Sequence, residues 1–154
     1  MSDASAQVQD LYRELILDHS RRPRHFGRLA DATHTADGIN PLCGDKLKVY
    51  LRINERREIV SSSFEGSGCA ISVASASLMT DTVTGLPVED AEACFEAVIQ
   101  RLTGGRSTST AARLDTLRAL DGVRAFPARV KCATLAWQAL HVALTDDASP
   151  ATTE

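Results

Sequence analysis

Apolar and polar residues alternate most regularly over the segment Lys46–Ile53. Every second position there is leucine, valine or isoleucine, and lysine, tyrosine or arginine lies between them. A period of two predicts a strand with one buried face. The turn Asn54–Arg57 then predicts a returning strand over Glu58–Phe64, and Thr33–Ile39 is a candidate third strand. A two-stranded ribbon is marginal alone, so we expect a third strand and a helical cover.

Elsewhere the apolar residues recur at helical spacing. The predicted helices are Gln7–Ser20; Ala70–Thr84, with Ile71, Ala74 and Leu78 on one face; Ala91–Leu102, ended by Gly104 and Gly105; a short helix over Leu114–Leu120; and a last helix that begins at Pro127. The pattern predicts one α+β domain over residues 1–154, with a core of about residues 7–145 and frayed ends. Its expected architecture is a small antiparallel sheet of about three strands packed against helices.

Composition and charge narrow the class of protein. The 154 residues are 44% hydrophobic and 24% charged, as in a globular domain, and the net charge of −3 argues against a nucleic-acid binder. The chain starts without a basic region followed by an apolar run, and it has no apolar stretch of about twenty residues, so we expect neither secretion nor a membrane span. In the cytoplasm that this predicts, four cysteines are expected as thiols or metal ligands rather than as disulfides.

Three of the cysteines stand in positions that present a thiol. Cys43 lies in a loop just before the first strand, Cys69 follows Gly66-Ser67-Gly68 and opens a helix, and Cys132 lies in the first turns of the last helix. Together with the carboxylate of Asp45, three soft thiolates form a full tetrahedral set for zinc, or most of a set for an iron–sulfur cluster. The pattern indicates a protein that handles sulfur or metal.

The predicted strands and helices indicate which of the three cysteines can lie close together. Cys43 and Cys69 flank the strand pair, and an antiparallel excursion would return the chain to its starting end. The approach of Cys132 depends on tertiary structure that spacing does not predict. Glycines at positions 44, 66 and 68 allow close backbone approach, and the helix dipole would favour the thiolate forms of Cys69 and Cys132.

The net charge of the ligand set and the exchange of its carboxylate also bear on the function of the site. Zinc with three thiolates and Asp45 would carry a formal charge of about −2, which Lys131 and Arg129, beside Cys132, would offset. A carboxylate is a harder donor than a thiolate, so this ligand is the easier one to exchange. Structural zinc sites more often contain Cys-x-x-Cys pairs, which the chain lacks.

Each of these assignments has a simpler alternative. Any one cysteine could be a small core residue, and Cys94, which shares a helical stripe with Ala91, Phe95 and Val98, is assigned to the core. Asp45 could cap a turn, and Lys131 could simply be exposed. The histidines lack ligand spacing and are interpreted as surface or packing residues; they are His19, His25, His34 and His141.

Several motifs occur in an order that resembles a known family. These are Leu11-Tyr12, Asp18-His19, Pro23-Arg24, Gly27, Asn40–Asp45, Gly66–Ser72, Ala74–Ser77, Lys131-Cys132 and Leu135–Trp137. From about Leu11 to Leu144 the chain resembles the U-type iron–sulfur cluster assembly proteins, the family of IscU and of the NifU N-terminal domain.

Within that family the chain resembles one branch more than the other. The IscU-like scaffold branch has a histidine just before its last cysteine, whereas the SufU-like zinc-dependent sulfurtransferases have a basic residue there and a longer preceding segment. This chain has Lys131 and an additional stretch over Gly104–Asp121, so it is similar to the SufU-like branch. One departure is His25, where the family commonly has asparagine.

The resemblance implies a fold, a cofactor and a role. It implies a SufE/NifU-like fold and zinc held by Cys43, Asp45, Cys69 and Cys132. It further implies that Cys43 accepts persulfide sulfur from a PLP-dependent cysteine desulfurase of the SufS type and passes it to the SUF cluster-assembly complex. Candidate residues for docking the desulfurase are Tyr12, Arg22 and Arg24, although Tyr12 also fits the apolar stripe of the first helix and the arginines fit a solvated helix end. A monomer or weak dimer is expected.

Two further functions remain open. The same ligands would suit a scaffold for a transient [2Fe–2S] cluster, although a protonated lysine at position 131 is a poor cluster ligand. A structural zinc domain in an interaction protein is the third, and it is disfavoured by the exchangeable carboxylate.

Overall fold

The structure is a computed structural model that describes residues 13–103, 120, 123, 126–145 and 151–152. In chain order its elements are α1 (residues 13–21), β1 (His34–Asn40), β2 (Asp45–Ile53), β3 (Ile59–Ser67), α2 (Ala70–Val83), α3 (Val88–Leu102), α4 (Pro127–Thr145) and β4 (Ala151–Thr152).

The sheet has the order β3-β2-β1-β4. Its three longer strands are antiparallel, with β2 in the centre, which confirms the predicted α+β fold and its three strands. The short strand β4 pairs in parallel with β1, at Gly38 and Ile39. The sequence did not predict this pairing, so the expected fraying of the tail does not hold at Ala151 and Thr152.

One face of the sheet is covered by α4. The alternating residues Leu47, Val49 and Leu51 are at most 1% exposed, and β2 buries them as the period of two predicts. Helix α4 packs against β1, β2, α2 and α3, and its Trp137 is fully buried. The approach is close at Gly38, where a Cβ would lie 3.2 Å from Leu135. The core therefore lies between the sheet and the helices.

Helix α2 differs from its prediction. The sequence predicts one packed face, but the helix is buried nearly all round, over Ala74–Thr80 and at Ser72. Alanine and serine are small enough to let neighbouring elements approach α2 from several sides, and the serine hydroxyls bond across to those neighbours. The serine and threonine residues of α2 are thus part of the interior.

The ends of the other helices can be compared with their predicted ends. Helix α4 begins at the predicted Pro127, and α3 ends at the predicted Leu102. The predicted helix Gln7–Ser20 is described only from residue 13, and it continues to residue 21. The predicted helix Leu114–Leu120 lies outside the described residues except for its last position. Within the part of the chain that is described, no helix combines the length and the apolar character needed to cross a bilayer.

Candidate metal centre

The β1–β2 hairpin presents Cys43 at one end of the sheet. Asn40 and Asp45 are paired across the hairpin, and the loop between them, residues 41–44, carries Cys43 in an exposed position. Lys46 pairs with Ser67, so β3 ends at the same edge, and Gly68 leads directly into Cys69. The antiparallel excursion predicted from the sequence is confirmed.

Helix α4, which covers one face of the sheet, brings the last cysteine to this edge. Cys132 lies in the second turn of α4 and is 2% exposed. Its Sγ atom lies 3.6 Å from Sγ of Cys43. One ligand atom from each of Cys43, Asp45 and Cys132 lies within 4.8 Å of the other two. Three of the four predicted metal ligands therefore form one cluster, in which only Cys43 is exposed.

The carboxylate of Asp45 is held from several directions. It is 1% exposed, and its Oδ1 accepts a hydrogen bond from the backbone N–H of Cys69 at 2.9 Å. Its Oδ2 accepts one from the Ser72 hydroxyl at 2.6 Å and a longer one from the Asn40 amide at 3.5 Å. A Cβ on Gly68 would lie 2.8 Å from Oδ1, so the glycine is needed for this approach. Asp45 also accepts from a backbone amide at the N-terminus of α2, which is a favourable place for an anion.

Cys69 is adjacent to the cluster but is not one of its three members. It is the N-cap residue of α2, it is exposed, and its thiol lies 3.6 Å from the Ser72 hydroxyl. Its backbone N–H, rather than its sulfur, makes the contact with Asp45. The fourth position in the predicted ligand set therefore stays a prediction.

The chemistry of Cys132 differs from the sequence-based expectation. Burial raises the pKa of the Cys132 thiol well above its ordinary value, and contacts with Asp45, Cys69 and Cys43 raise it further. The sequence analysis expected the helix dipole to favour the Cys132 thiolate, whereas burial acts in the opposite direction. The dipole acts mainly within the first turn, and Cys132 lies one turn beyond it in a desolvated position.

Comparison with known proteins places the chain in a family. The sequence model of the protein family described as the NifU-like N-terminal domain matches residues 11–149. A zinc-dependent sulfurtransferase SufU from Bacillus subtilis (strain 168) is 39% identical over 138 residues, which cover 89% of this chain and 91% of the relative. This chain belongs to the NifU-like N-terminal domain family.

Two other relatives bear on the same assignment. An iron–sulfur cluster assembly scaffold protein IscU from Streptococcus pyogenes serotype M1 is 38% identical over 141 residues, covering 92% of this chain and 87% of the relative. A crystal structure of a putative assembly scaffold for the SUF system from Fervidobacterium islandicum AW-1 superposes with a TM-score of 0.78 at 30% identity, covering 85% of this chain and 94% of that one. The NifU-like fold expected from the sequence is confirmed.

The donors of this NifU-like domain fit a zinc ion. Two sulfurs at about 2.3 Å from one tetrahedral zinc lie about 3.8 Å apart. The 3.6 Å between Cys43 and Cys132 is close to that separation. The remaining nearby donors are the carboxylate of Asp45 and the thiol of Cys69, both of types that zinc accepts. All four donors suit the metal in their chemistry, and Cys43, Asp45 and Cys132 suit it in their spacing as well.

The predicted charged residues and the predicted docking residues lie in two separate segments of the chain. Arg129 is exposed and Lys131 is half-buried, both in the part of α4 that leads to Cys132. Arg22 is exposed, whereas Arg24 forms an ion pair with Asp18 at 2.6 Å. Tyr12 lies outside the described residues. A docking role for Arg22, Arg24 and Tyr12 stays a prediction.

One cysteine and two histidines away from the cluster make contacts within the body of the domain. Cys94 is 2% exposed in the core, as its helical stripe predicts. His19 is 3% exposed, and its Nδ1 shares a hydrogen bond of 2.7 Å with the Ser77 hydroxyl. His141 bonds to Glu92 at 2.9 Å and stacks on Phe95.

Two residues of the site were missed by the sequence analysis. Ser72 and Asn40 both donate to Asp45, yet neither was singled out beyond its place in a family motif. A serine three residues after an N-cap cysteine has no periodic signal that distinguishes it from the other serines of α2. Asn40 could have been found only from the register that pairs it with Asp45.

Proposed function

We propose that this NifU-like domain is a cytoplasmic iron–sulfur cluster assembly protein that accepts persulfide sulfur at Cys43. The donor would be a PLP-dependent cysteine desulfurase of the SufS type, and the sulfur would pass on to the SUF machinery. The observation that carries the proposal is the difference in exposure within the cluster: Cys43 is exposed, whereas Asp45 and Cys132 are at most 2% exposed. A partner's persulfide can therefore reach Cys43 and not Cys132. The 39% identity to a zinc-dependent sulfurtransferase SufU supports the same activity.

Zinc is the cofactor that these donors suit. Cys43, Asp45, Cys69 and Cys132 would hold it, and when bound it would supply the positive charge that keeps the thiols deprotonated at neutral pH. At Cys132 this charge would oppose the burial that raises the pKa of the thiol. Lys131 and Arg129 would offset the negative charge that remains on the ligand set.

The sulfur-transfer step follows from ordinary thiol chemistry. The Cys43 thiolate attacks the outer, sulfane sulfur of the desulfurase persulfide, and a new S–S bond forms on Cys43. The bond between the two sulfurs of the donor breaks, and its electron pair leaves with the desulfurase cysteine as a thiolate. The proton on the outer sulfur stays on that sulfur, so Cys43 ends as a persulfide. No oxidant or reductant is consumed. The chain supplies an exposed nucleophile on a short loop, next to buried groups that the donor does not reach.

A scaffold for a [2Fe–2S] cluster is the second candidate function. The 38% identity to an IscU scaffold protein supports it, and the clustered thiols are ligands that such clusters use. Lys131, next to Cys132, counts against it because a protonated lysine does not ligate iron.

Metal analysis combined with desulfurase turnover tests these alternatives. The wild type, Cys43→Ala and the control Cys94→Ala would be purified without added metal and assayed with a cysteine desulfurase. We expect about one zinc per wild-type chain, as one tetrahedral site requires, and a stimulation of turnover that only Cys43→Ala loses. Iron with labile sulfide and no stimulation would assign the scaffold function instead. Zinc without stimulation would indicate a structural zinc domain.

A further inference from the structure

The buried hydroxyl of Ser72 contacts three of the four proposed metal ligands. It lies 2.6 Å from Oδ2 of Asp45, 3.6 Å from Sγ of Cys69 and 3.4 Å from the backbone carbonyl of Cys132. Ser72 itself is fully buried. A side chain in this position can influence the ligands without being one of them.

The single proton of that hydroxyl has a preferred acceptor. A serine O–H donates one hydrogen bond, and the short contact to a carboxylate is the strongest of the three available here. Donation to Oδ2, together with the Cys69 N–H on Oδ1, holds both oxygens of Asp45. The carboxylate therefore cannot turn about its Cβ–Cγ bond without breaking a bond on each side.

A second buried donor supports the same arrangement. The Asn40 amide lies 3.5 Å from Oδ2 of Asp45 and 3.6 Å from Sγ of Cys132, so it touches two of the cluster's members. Asn40 is fully buried, and its Oδ1 has no hydrogen-bond partner among the described residues. Burying an amide with one unsatisfied oxygen is unfavourable, and the contacts that this amide makes with the cluster all come from its nitrogen.

We propose that Ser72, assisted by Asn40, is a positioning residue that fixes the carboxylate of Asp45 for metal binding and thereby sets the affinity of the site. This inference rests on the proposed function, because it assumes that the cluster holds zinc. Outer hydrogen bonds to metal ligands commonly contribute about 10- to 100-fold to metal affinity. Loss of the Ser72 hydroxyl would leave Oδ2 of Asp45 with only the 3.5 Å contact from the Asn40 amide, so that this oxygen would be less firmly held next to Cys43 and Cys132.

Helix α2 offers a matched control in Ser75. This serine is also fully buried, and its hydroxyl bonds to the carbonyl of Ala133 at 2.5 Å and accepts from the Trp137 indole at 3.1 Å. Both serines thus link α2 to α4, but Ser75 has no contact with Asp45 among its hydrogen bonds. Ser75→Ala removes a comparable buried hydroxyl and tests for general loosening of the interface.

The experiment is a competition for Zn²⁺ between each protein and a chromophoric chelator, with the wild type, Ser72→Ala, Ser75→Ala and Asn40→Ala. We expect Ser72→Ala to weaken the apparent affinity by about 10- to 100-fold and Asn40→Ala to weaken it in the same direction. Ser75→Ala is expected to stay close to the wild type in affinity even if it melts earlier. Co²⁺ spectra of the same proteins would show an altered ligand field in Ser72→Ala.

The outcomes separate this inference from the function on which it rests. Equal Zn²⁺ affinity of the wild type and Ser72→Ala would overturn the positioning role while leaving the sulfur-transfer proposal intact. The same loss in Ser75→Ala and Ser72→Ala would overturn it too, because general loosening would then explain the effect. A wild type that holds no Zn²⁺ would overturn the zinc-dependent function and this inference together.

Discussion

The Sγ atom of Cys132 lies 3.6 Å from the Sγ atom of Cys43, although 89 positions separate them in the chain. The contact exists because α4 packs across β1 and β2 and carries Cys132 to the edge where the β1–β2 loop presents Cys43. One thiol of the pair is buried and the other is exposed. A buried thiol next to an exposed one fits the proposed transfer of sulfur to Cys43.

Alkylation should reveal this difference among the cysteines. In metal-free protein we expect iodoacetamide to modify the exposed Cys43 and Cys69 first, and the buried Cys94 and Cys132 slowly. Addition of Zn²⁺ should protect Cys43, Cys69 and Cys132 and leave the rate at Cys94 unchanged. The measurement is a time course by peptide mass spectrometry.

The alkylation experiment also tests the fourth ligand. Protection of Cys43 without protection of Cys69 would remove Cys69 from the proposed ligand set. Equal protection of Cys94 would show that zinc tightens the fold as a whole rather than binding these thiols.

Substitution of Gly66 should destabilise the sheet beside the site. Gly66 has a φ of +131°, and a Cβ there would lie 2.1 Å from the carbonyl oxygen of Lys46. Because the obstacle is backbone of the central strand, we expect Gly66→Ala to lower the free energy of unfolding by about 3 kcal/mol or more. Urea denaturation would measure the loss.

Gly85→Ala is the control for that substitution. Gly85 also has a positive φ, +91°, but a Cβ there would meet no atom within 4 Å. Its substitution should cost only the backbone strain, about 1–2 kcal/mol. Equal losses in the two variants would contradict a steric role for Gly66.

His19 should make the stability of the domain sensitive to acid. Burial lowers the pKa of His19, and the charge of Arg24 lowers it further, against the opposing carboxylates of Asp81 and Asp18. The unfolded chain therefore binds this proton more readily than the folded one. Stability should fall as the pH drops below about 6.5, the ordinary histidine value, and this loss should be complete once the pH is below the folded pKa.

Thermal unfolding of the wild type and His19→Asn between neutral and mildly acidic pH would measure this effect. Asparagine can retain a hydrogen bond to the Ser77 hydroxyl, which His19 contacts at 2.7 Å, but it does not titrate. We expect a shallower loss of stability with acid in the variant. Identical pH dependence in the two proteins would assign the acid sensitivity to other groups.

The strands could be predicted from the sequence because their signal is local. Alternation over Lys46–Ile53 depends only on one face of a strand being buried, and the structure extends that strand by a single residue, to Asp45. The positions of Cys43 before it and of Cys69 after its partner follow from antiparallel pairing. This much of the site was accessible from pattern and spacing.

The remaining features depend on packing that no local pattern encodes. Helix α2 has alanine and serine on all sides, so its burial on several faces gives no helical period. The raised pKa of Cys132 and the contact of Ser72 with Asp45 both arise where α2, α4 and the sheet meet. Sequence reasoning proposed the ligands, but it did not find the residues that hold them.

The most direct test of the central claim is to locate the transferred sulfur. The protein would be incubated with a cysteine desulfurase and free cysteine, blocked with an alkylating agent, digested, and mapped by mass spectrometry without reduction. The account predicts one additional sulfur atom on the peptide that contains Cys43 and none on those containing Cys69, Cys94 or Cys132. A persulfide on Cys69 or Cys132, with Cys43 unmodified, would contradict it.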